Sequence, residues 1–238
     1  MVEAGQIDWG AHDNDGAYVL RAMQSADETL AYLMDYADAH PDTLLIVTAD
    51  HETGGMGFSC GQIDDATMEL PSGATHTTPF DFAVATESFD DLTEQTMSYA
   101  GMVDSINADL YLEDFEPNSE YPIEDGIQEL IALVDEHTGH SLSEEQAMQV
   151  LHVEPTTATL PQPQPQPQGP DRFHPHDTFR NRLSMQLVDD THLLWSTGTH
   201  TSTPVPIMAM GKPEFAEQVR GHGHSVAIGA LIFAALND

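Results

Sequence analysis

The sequence predicts an α/β fold with a central, mostly parallel sheet between layers of helices. Residues 44–49, LLIVTA, are a nearly continuous apolar run rich in β-branched side chains, which is typical of a strand buried on both faces of a parallel sheet. Residues 18–39 repeat apolar side chains at helical spacing and are followed by Pro41, so we expect an amphipathic helix before that strand. A helix followed by a buried strand is typical of a βαβ unit.

Metal-ligand side chains lie at the tip of this strand and near the start of the chain. Asp50 and His51 directly follow the strand, where open α/β sheets bind ligands. Six residues in three strings have the right chemistry for divalent ions: Glu3, Asp8 and His12 in EAGQIDWGAH, Asp50 and His51 in TADHE, and His200 in GTHT. Zinc accepts His nitrogen and Asp oxygen in a roughly tetrahedral shell. A D-x-x-x-H spacing alone also fits a solvated pair, but the compound pattern predicts a metal site.

The strings MVEAGQIDWGAHDND, IVTADHETGG and GTHT together resemble the C-terminal half of bacterial alkaline phosphatases, of the marine and halophilic type with a large insertion. The resemblance implies an α/β/α sandwich, here incomplete, and a site of two zinc ions and one magnesium ion. It implies that magnesium is bound by Glu3, one zinc by Asp8, His12 and His200, and the second zinc by Asp50 and His51.

The resemblance also places Trp9 at the wall of the phosphate pocket. The alternative for Trp9 is ordinary packing, because Trp is usually highly buried. Thr48, Thr53 and Thr201 flank the ligands and are candidate hydrogen-bond partners that orient them.

The activity implied by the resemblance is hydrolysis of small phosphate monoesters through a phosphoserine. The family's Ser nucleophile, its Asp neighbour, its phosphate-binding Arg and a metal-bridging Asp have no counterpart here, and Met1 resembles an internal Met of the family. We therefore expect the C-terminal part of an enzyme, inactive by itself, with a missing N-terminal half, a periplasmic or secreted location and a homodimeric complete form. The alternatives are a non-catalytic partial metal-binding module, a phosphodiesterase of the wider superfamily, and an acidic surface protein with many weak calcium sites.

The charge of the chain restricts its partners. Forty Asp and Glu residues stand against six Lys and Arg, a formal charge of −34. Such a surface repels nucleic acids and anionic membranes, so we expect neither as a partner. We expect adaptation to high salt, because a Debye length of about 3 Å at 1 M screens self-repulsion. Hydrophobic residues make up 40% of the chain, which argues against a disordered acidic tail.

The chain is expected to comprise three parts. Residues 1–59 and 190–238 form the α/β core, and 60–189 form a crown-like insertion at a subunit interface. The further predicted elements are helices over 127–136 and 143–151, the second with a Ser143–Gln146 capping box, a polyproline-type linker over 160–170, LPQPQPQPQGP, and strands over 193–196 and 205–210. Residues 226–236 are too short for a membrane span and are expected to form a buried or docking helix. Cys60 is the sole cysteine, so no intramolecular disulfide forms.

Overall fold

The computed structural model describes residues 1–59, 61–81, 84–106, 123–151, 178–221 and 223–237. Ten helices lie in these ranges: α1 Gln6–His12, α2 Gly16–Ala39, α3 Val84–Glu94, α4 Tyr99–Ser105, α5 Ile123–Thr138, α6 Glu144–Val150, α7 Phe179–Gln186, α8 Val188–Thr191, α9 Pro213–Ala216 and α10 Val226–Leu236. Eight strands accompany them: β1 Leu44–Thr48, β2 Glu52–Thr53, β3 Gly57–Phe58, β4 Gly61–Glu69, β5 Thr75–Asp81, β6 Leu193–Leu194, β7 His200–Thr201 and β8 Ile207–Gly211. Cys60 and the 160–170 segment lie outside the described residues.

The helix and strand predicted at the start of the chain are both confirmed. Helix α2 begins after Asp15, whose side chain accepts a hydrogen bond from the Tyr18 backbone N–H, so one of the unpaired amides of the first turn is satisfied. The helix ends at Ala39, because the proline at position 41 cannot continue it. Strand β1 follows and packs against α2. This helix-on-sheet layer is the α/β architecture that the sequence predicts.

The direction of strand pairing differs from the prediction. Strand β1 pairs antiparallel with β8, with Leu44 opposite Gly211 and Thr48 opposite Ile207. Within the described ranges, all four two-stranded ladders are antiparallel, and Leu44 to Val47 are half-buried rather than buried. The expected parallel neighbours of β1 are therefore not found in the described part of the chain. A continuous apolar run is more common in parallel sheets, but the direction of the partner is set by where the other strand lies in space, which the run itself does not encode.

Within the described residues, the largest hydrophobic core lies in the range 60–189, for which we predict an insertion. Helices α4, α5, α6 and α7, which we call the helical cluster, pack together. Thirteen buried residues form their core: Tyr99, Met102, Ile106, Ile127, Leu130, Val134, Leu142, Ala147, Val150, Leu151, Phe179, Leu183 and Leu187. The predicted helical pair is confirmed as α5 and α6, and both hydrogen bonds of the predicted Ser143–Gln146 capping box are present. The described part of residues 99–187 is thus a helical unit with its own core.

The remaining elements bury much less apolar surface. We call α1, α2, β1, β2, β7, β8 and α10 the candidate-site layer. A small core of Ala17, Leu92 and Leu193 joins α2 of this layer to α3 and β6. Helix α10 has no buried residue, and Phe233 and Leu236 are 72% and 80% exposed. Of the two predicted alternatives, the buried helix is therefore wrong, and the docking helix stays a prediction. No described helix is both long and apolar enough to span a membrane.

Candidate metal centre

Helix α1 supplies the first two candidate ligands. Asp8 and His12 are one helical turn apart, so their side chains lie on the same face. The Oδ1 atom of Asp8 is 3.4 Å from Nε2 of His12. Both side chains are about one-third exposed, which leaves them open to an ion from solvent.

Strand pairing brings His200 to this face of α1. The antiparallel register of β2 and β7 sets His200 opposite Thr53. The Nε2 atom of His200 is then 3.2 Å from Nε2 of His12 and 3.9 Å from Oδ1 of Asp8. Asp8, His12 and His200 therefore form a three-donor group, although His12 and His200 are 188 positions apart.

The donor set of this group fits zinc. The Nδ1 atom of His12 lies 2.7 Å from the carbonyl oxygen of Gly198; because a carbonyl can only accept, Nδ1–H donates, and Nε2 of the neutral ring keeps its lone pair. Ligands about 2.0–2.1 Å from a tetrahedral zinc lie about 3.3–3.4 Å from one another, and the three observed separations are 3.2, 3.4 and 3.9 Å. Lone pairs and a carboxylate converging in this way repel one another unless a proton or a metal cation lies between them.

A second pair of donors lies beside the first group. Nε2 of His51 is 3.3 Å from Oδ2 of Asp50, and the His51 ring stacks on His200 with 3.5 Å between ring centroids. Thr53 connects the pair to Asp8, because its hydroxyl donates to Oδ1 of Asp8 at 2.6 Å and lies 3.1 Å from Nδ1 of His51. With that hydroxyl proton committed to Asp8, Nδ1–H of His51 is the donor to Thr53, and Nε2 is left to bind an ion beside Asp50.

The turn after β2 holds this arrangement against the segment before β7. Gly54 has a φ of 86°, a backbone conformation that residues other than glycine rarely adopt. A Cβ at this position would also collide with the Trp195 ring. Its backbone N–H donates to the carbonyl of Thr199, and its carbonyl accepts from Ser196 and Thr197. Of the two other predicted threonines, Thr201 donates to Glu52 and Thr48 donates to Pro206. Thr53 is thus the predicted threonine that contacts the candidate ligands.

A cavity of about 590 Å³ opens beside the second pair. Asp50 and His51 line one side, and Arg220, His224 and the face of α10 line another. Small-molecule sites typically occupy about 300–1,000 Å³ and combine apolar walls with a few polar groups. The cavity therefore has the size of a small-molecule site and opens onto candidate ligands.

The structure does not bring all the predicted site residues together. Glu3 is exposed and lies outside the three-donor group. The Trp9 side chain is 62% exposed on α1, so the alternative of ordinary packing does not describe it. Asp50 is 88% exposed at the side chain and contacts its chain neighbour His51.

The alkaline phosphatase family profile matches residues 1–142, which is more than half of the 238 residues. The chain belongs to the alkaline phosphatase family. Alkaline phosphatase 3 of Bacillus subtilis is 35% identical over 80 residues, which cover 34% of this chain and 17% of that protein. The repressible alkaline phosphatase of Saccharomyces cerevisiae is 40% identical over 57 residues, which cover 24% of this chain and 10% of that protein.

Two solved structures show the same fold. The crystal structure of Thermus thermophilus alkaline phosphatase superposes with a TM-score of 0.61 at 24% identity, over 89% of this chain and 37% of the other. The cold-active alkaline phosphatase of a Shewanella species superposes with a TM-score of 0.58 at 19% identity, over 99% of this chain and 44% of the other. This chain therefore spans less than half the length of either solved relative.

Sequence reasoning missed the residues that surround His12 from the opposite side. Asn14 is buried at 1% exposure with a φ of 55°, and Asn181 of α7 contacts it. The D-N-D string at 13–15 favours a turn and was the available signal for Asn14. Asn181 lies 167 positions away in a polar segment with no motif, so the sequence gives no signal for it.

Proposed function

We propose that this chain is the metal-binding part of an alkaline phosphatase that hydrolyses phosphate monoesters. The observation that carries the proposal is the three-donor group of Asp8, His12 and His200 with the pair of Asp50 and His51 stacked against it. Two adjacent donor sets, in a chain of the alkaline phosphatase family, support a site of two zinc ions. The resemblance implies one magnesium ion at Glu3. Glu3 is exposed, so that ion would require further ligands.

The residues of this chain have separable roles in that reaction. Metal ions at such a site would supply Lewis acidity and offset the charge on phosphoryl oxygens. Asp8, His12 and His200 would hold one ion and Asp50 and His51 the other, while Thr53 fixes the orientation of both sets. The cavity beside Asp50 would hold the ester group of a small substrate. Trp9, which the resemblance places at the wall of the phosphate pocket, is exposed and does not line this cavity.

The proposal extends to parts of the enzyme beyond these residues. We propose that a separate N-terminal half supplies the nucleophilic Ser and the phosphate-binding Arg. This is consistent with the larger size of both solved relatives, of which the chain covers 37% and 44%. We also propose a homodimer that uses the inserted region, a periplasmic or secreted location and a high-salt environment. The formal charge of −34 supports the last point and disfavours nucleic-acid and membrane partners.

Zinc content tests the metal assignment. The three-donor group leaves one coordination position to fill, whereas Asp50 and His51 provide two ligands. We therefore expect the purified chain to retain one tightly held zinc after dialysis, His200→Ala to lose it, and His51→Ala to keep it. His40→Ala is the matched control, because His40 is exposed at the end of α2 and contacts Tyr36. No zinc in the parent, or equal loss in the His200 and His51 variants, would refute the assignment.

Turnover tests the division of the enzyme into parts. We expect the purified 238-residue chain with saturating zinc and magnesium to hydrolyse p-nitrophenyl phosphate far below the rate of about 10 per second that is typical of enzymes. Removing a nucleophile that acts together with its activating groups costs several orders of magnitude. Adding the separately expressed N-terminal half should restore activity. Ordinary turnover by the chain alone would show that the nucleophile lies within it, and tight zinc without restored activity would favour a non-catalytic module.

A further inference from the structure

We propose that Asn181, on helix α7 of the inserted region, is a positioning residue of the metal centre. It donates to the backbone carbonyl of His12 and lies against Gly198, whose own carbonyl accepts from the imidazole of His12. The inserted region would then be a structural part of the metal centre as well as the predicted interface. The inference rests on the proposed metal site and deepens it.

The side-chain amide of Asn181 is fully hydrogen-bonded. Its Nδ2 donates to the carbonyl oxygen of His12 and to Oδ1 of Asn14, both at 2.8 Å. Its Oδ1 accepts from the hydroxyl of Thr178, the N-cap of α7, at 2.7 Å. Because carbonyl and hydroxyl partners occupy opposite ends of the amide, its orientation is fixed. Asn181 is 3% exposed, so water cannot replace a lost bond without entering the core.

Asn14 extends this contact to the segment that precedes β7. Its Nδ2 donates to the carbonyls of Ala11 and Thr197, both at 3.0 Å. The end of α1, the segment before His200 and helix α7 are therefore joined through two buried amide side chains. A buried network with its donors paired is rigid, and removing one member leaves the others unsatisfied.

Gly198 lies between Asn181 and the imidazole of His12. Its carbonyl accepts the 2.7 Å hydrogen bond from Nδ1 of His12. A Cβ at this position would lie 2.9 Å from Oδ1 and 3.0 Å from Nδ2 of Asn181, so the amide packs directly on the Gly198 backbone. Asn181 thus restrains His12 twice, at its own carbonyl and through the peptide that sets its tautomer. A partner of this kind typically changes metal affinity about 10- to 100-fold.

Arg180 provides a matched control on the same helix. Its Nη1 forms a 2.8 Å ion pair with Asp13, so it also joins α7 to the segment after α1. Unlike Asn181, its side chain does not bond to His12 or Asn14 in any of the described contacts. Arg180→Ala removes this ion pair. It therefore tests whether any weakened contact between α7 and the segment after α1 is enough to lower zinc affinity.

Zinc affinity of the full chain, measured by chelator competition, is the first readout. Asn181→Leu keeps most of the side-chain volume but removes both donated bonds, and we expect it to weaken the zinc that depends on His200 about 10- to 100-fold. We expect the zinc affinity of Arg180→Ala to stay within about 3-fold of the parent. Large changes in metal affinity are typical of groups that hydrogen-bond to a metal ligand, and Arg180 forms its ion pair with Asp13 instead. The visible spectrum of the cobalt-substituted chain is the second readout, because it reports ligand geometry, and it should change in Asn181→Leu alone.

Gly198→Ala tests the packing of the Asn181 amide on the Gly198 backbone without removing a hydrogen-bonding group. We expect this substitution to weaken zinc in the parent, since the amide of Asn181 cannot move away from the new methyl group. In an Asn181→Ala background the methyl group has room, so the same substitution should have little further effect. Additive losses from the two substitutions would show that they act independently and would overturn the coupling.

The outcomes separate this inference from the proposed function. A parent chain without zinc contradicts the metal assignment itself. A parent that loses zinc in His12→Ala but is unchanged in Asn181→Leu, in affinity and in the cobalt spectrum, overturns the positioning role. Leu130→Ala, in the core of the helical cluster, controls for stability: it should lower the melting temperature and leave zinc affinity unchanged. If Asn181→Leu does not fold, the comparison of Gly198→Ala with Arg180→Ala decides, and equal affinities in these two variants overturn the proposal.

Discussion

The helical cluster buries its apolar side chains much more completely than the candidate-site layer does. Thirteen buried residues fill the core of the cluster, and Met102, Leu130 and Leu183 among them are fully enclosed. In the layer, β1 is half-buried and α10 presents Phe233 and Leu236 to solvent. The region without a predicted ligand is the better packed of the two. Stability in this chain is therefore concentrated away from its candidate chemistry.

The difference indicates that the layer depends on interactions other than its own hydrophobic core. Burial of apolar surface contributes about 25 cal/mol per Å², and α10 gains little of it. The contacts that order the candidate site are polar: the Thr53 bond to Asp8, the His12 bond to Gly198 and the bonds of Asn181. Such a layer is expected to gain more from bound metal than the cluster does, because a ligand stabilises the state that binds it.

The largest expected effect separates the two regions by side-chain truncation. Leu130→Ala removes a fully buried side chain of the cluster and should lower the free energy of unfolding by about 2–5 kcal/mol. Phe233→Ala removes a larger side chain that is 72% exposed on α10, and its cost should stay within about 0.5 kcal/mol. Urea unfolding of the zinc-free chain, followed by far-ultraviolet circular dichroism, measures both. A Phe233 effect as large as that of Leu130 would show that α10 is covered in solution and would break the comparison.

Residue patterns predicted the local features of both regions, whereas contacts between distant segments were predicted only where the family resemblance supplied them. Helix α2 and the Ser143–Gln146 capping box were predictable, because helical periodicity and capping residues act within a few positions. The antiparallel partner of β1 was not, because strand direction depends on where β8 lies in space. The grouping of His200 with Asp8 and His12 was implied by the family resemblance, although the β2–β7 register that produces it is not contained in the motifs. Asn181 was missed because neither a motif nor the resemblance marked it.

Asp15 connects the two regions, and its titration sharpens the comparison. The carboxylate caps α2 and accepts hydrogen bonds from Gln95 and from the Tyr99 backbone N–H of the cluster, at 3.0 and 2.8 Å. Burial raises the pKa of Asp15 above its usual value, against the opposing effect of the N–H donors from Tyr18, Tyr99 and Gln95. The folded state therefore binds this proton more tightly than the unfolded chain. The resulting stabilisation is fully present below the unfolded pKa of about 3.9 and is lost as pH rises through the folded pKa.

Asp15→Asn removes that titration and tests its sign. We expect the unfolding free energy of the parent minus that of Asp15→Asn to fall as pH rises from 3 toward neutrality, with EDTA present so that metal ligands do not contribute. A constant loss of about 1–3 kcal/mol should accompany the substitution, because an amide leaves one backbone donor without an acceptor. Asp27→Asn, exposed on α2, is the control and should give a nearly flat difference. A difference that grows with pH would show that the three N–H donors outweigh burial.

The smallest expected effect is the response of the two regions to salt. Self-repulsion from the formal charge of −34 opposes the compact state, and screening reduces it as the Debye length falls from about 10 Å at 0.1 M to about 3 Å at 1 M. The thermal midpoint at pH 8, with zinc and magnesium saturating, should therefore rise between 0.1 and 3 M NaCl, by about 2–4 °C for each kcal/mol of repulsion removed. The midpoint followed by tryptophan fluorescence should rise more than the midpoint followed by far-ultraviolet circular dichroism. Both tryptophans lie outside the helical cluster, Trp9 on α1 of the candidate-site layer and Trp195 beside Gly54, where less buried apolar surface opposes the repulsion. Near the sequence pI of about 4.2 many carboxylates are protonated and the increment should shrink. A midpoint that stays flat or falls with NaCl at pH 8 would show that the acidic surface is not an adaptation to salt.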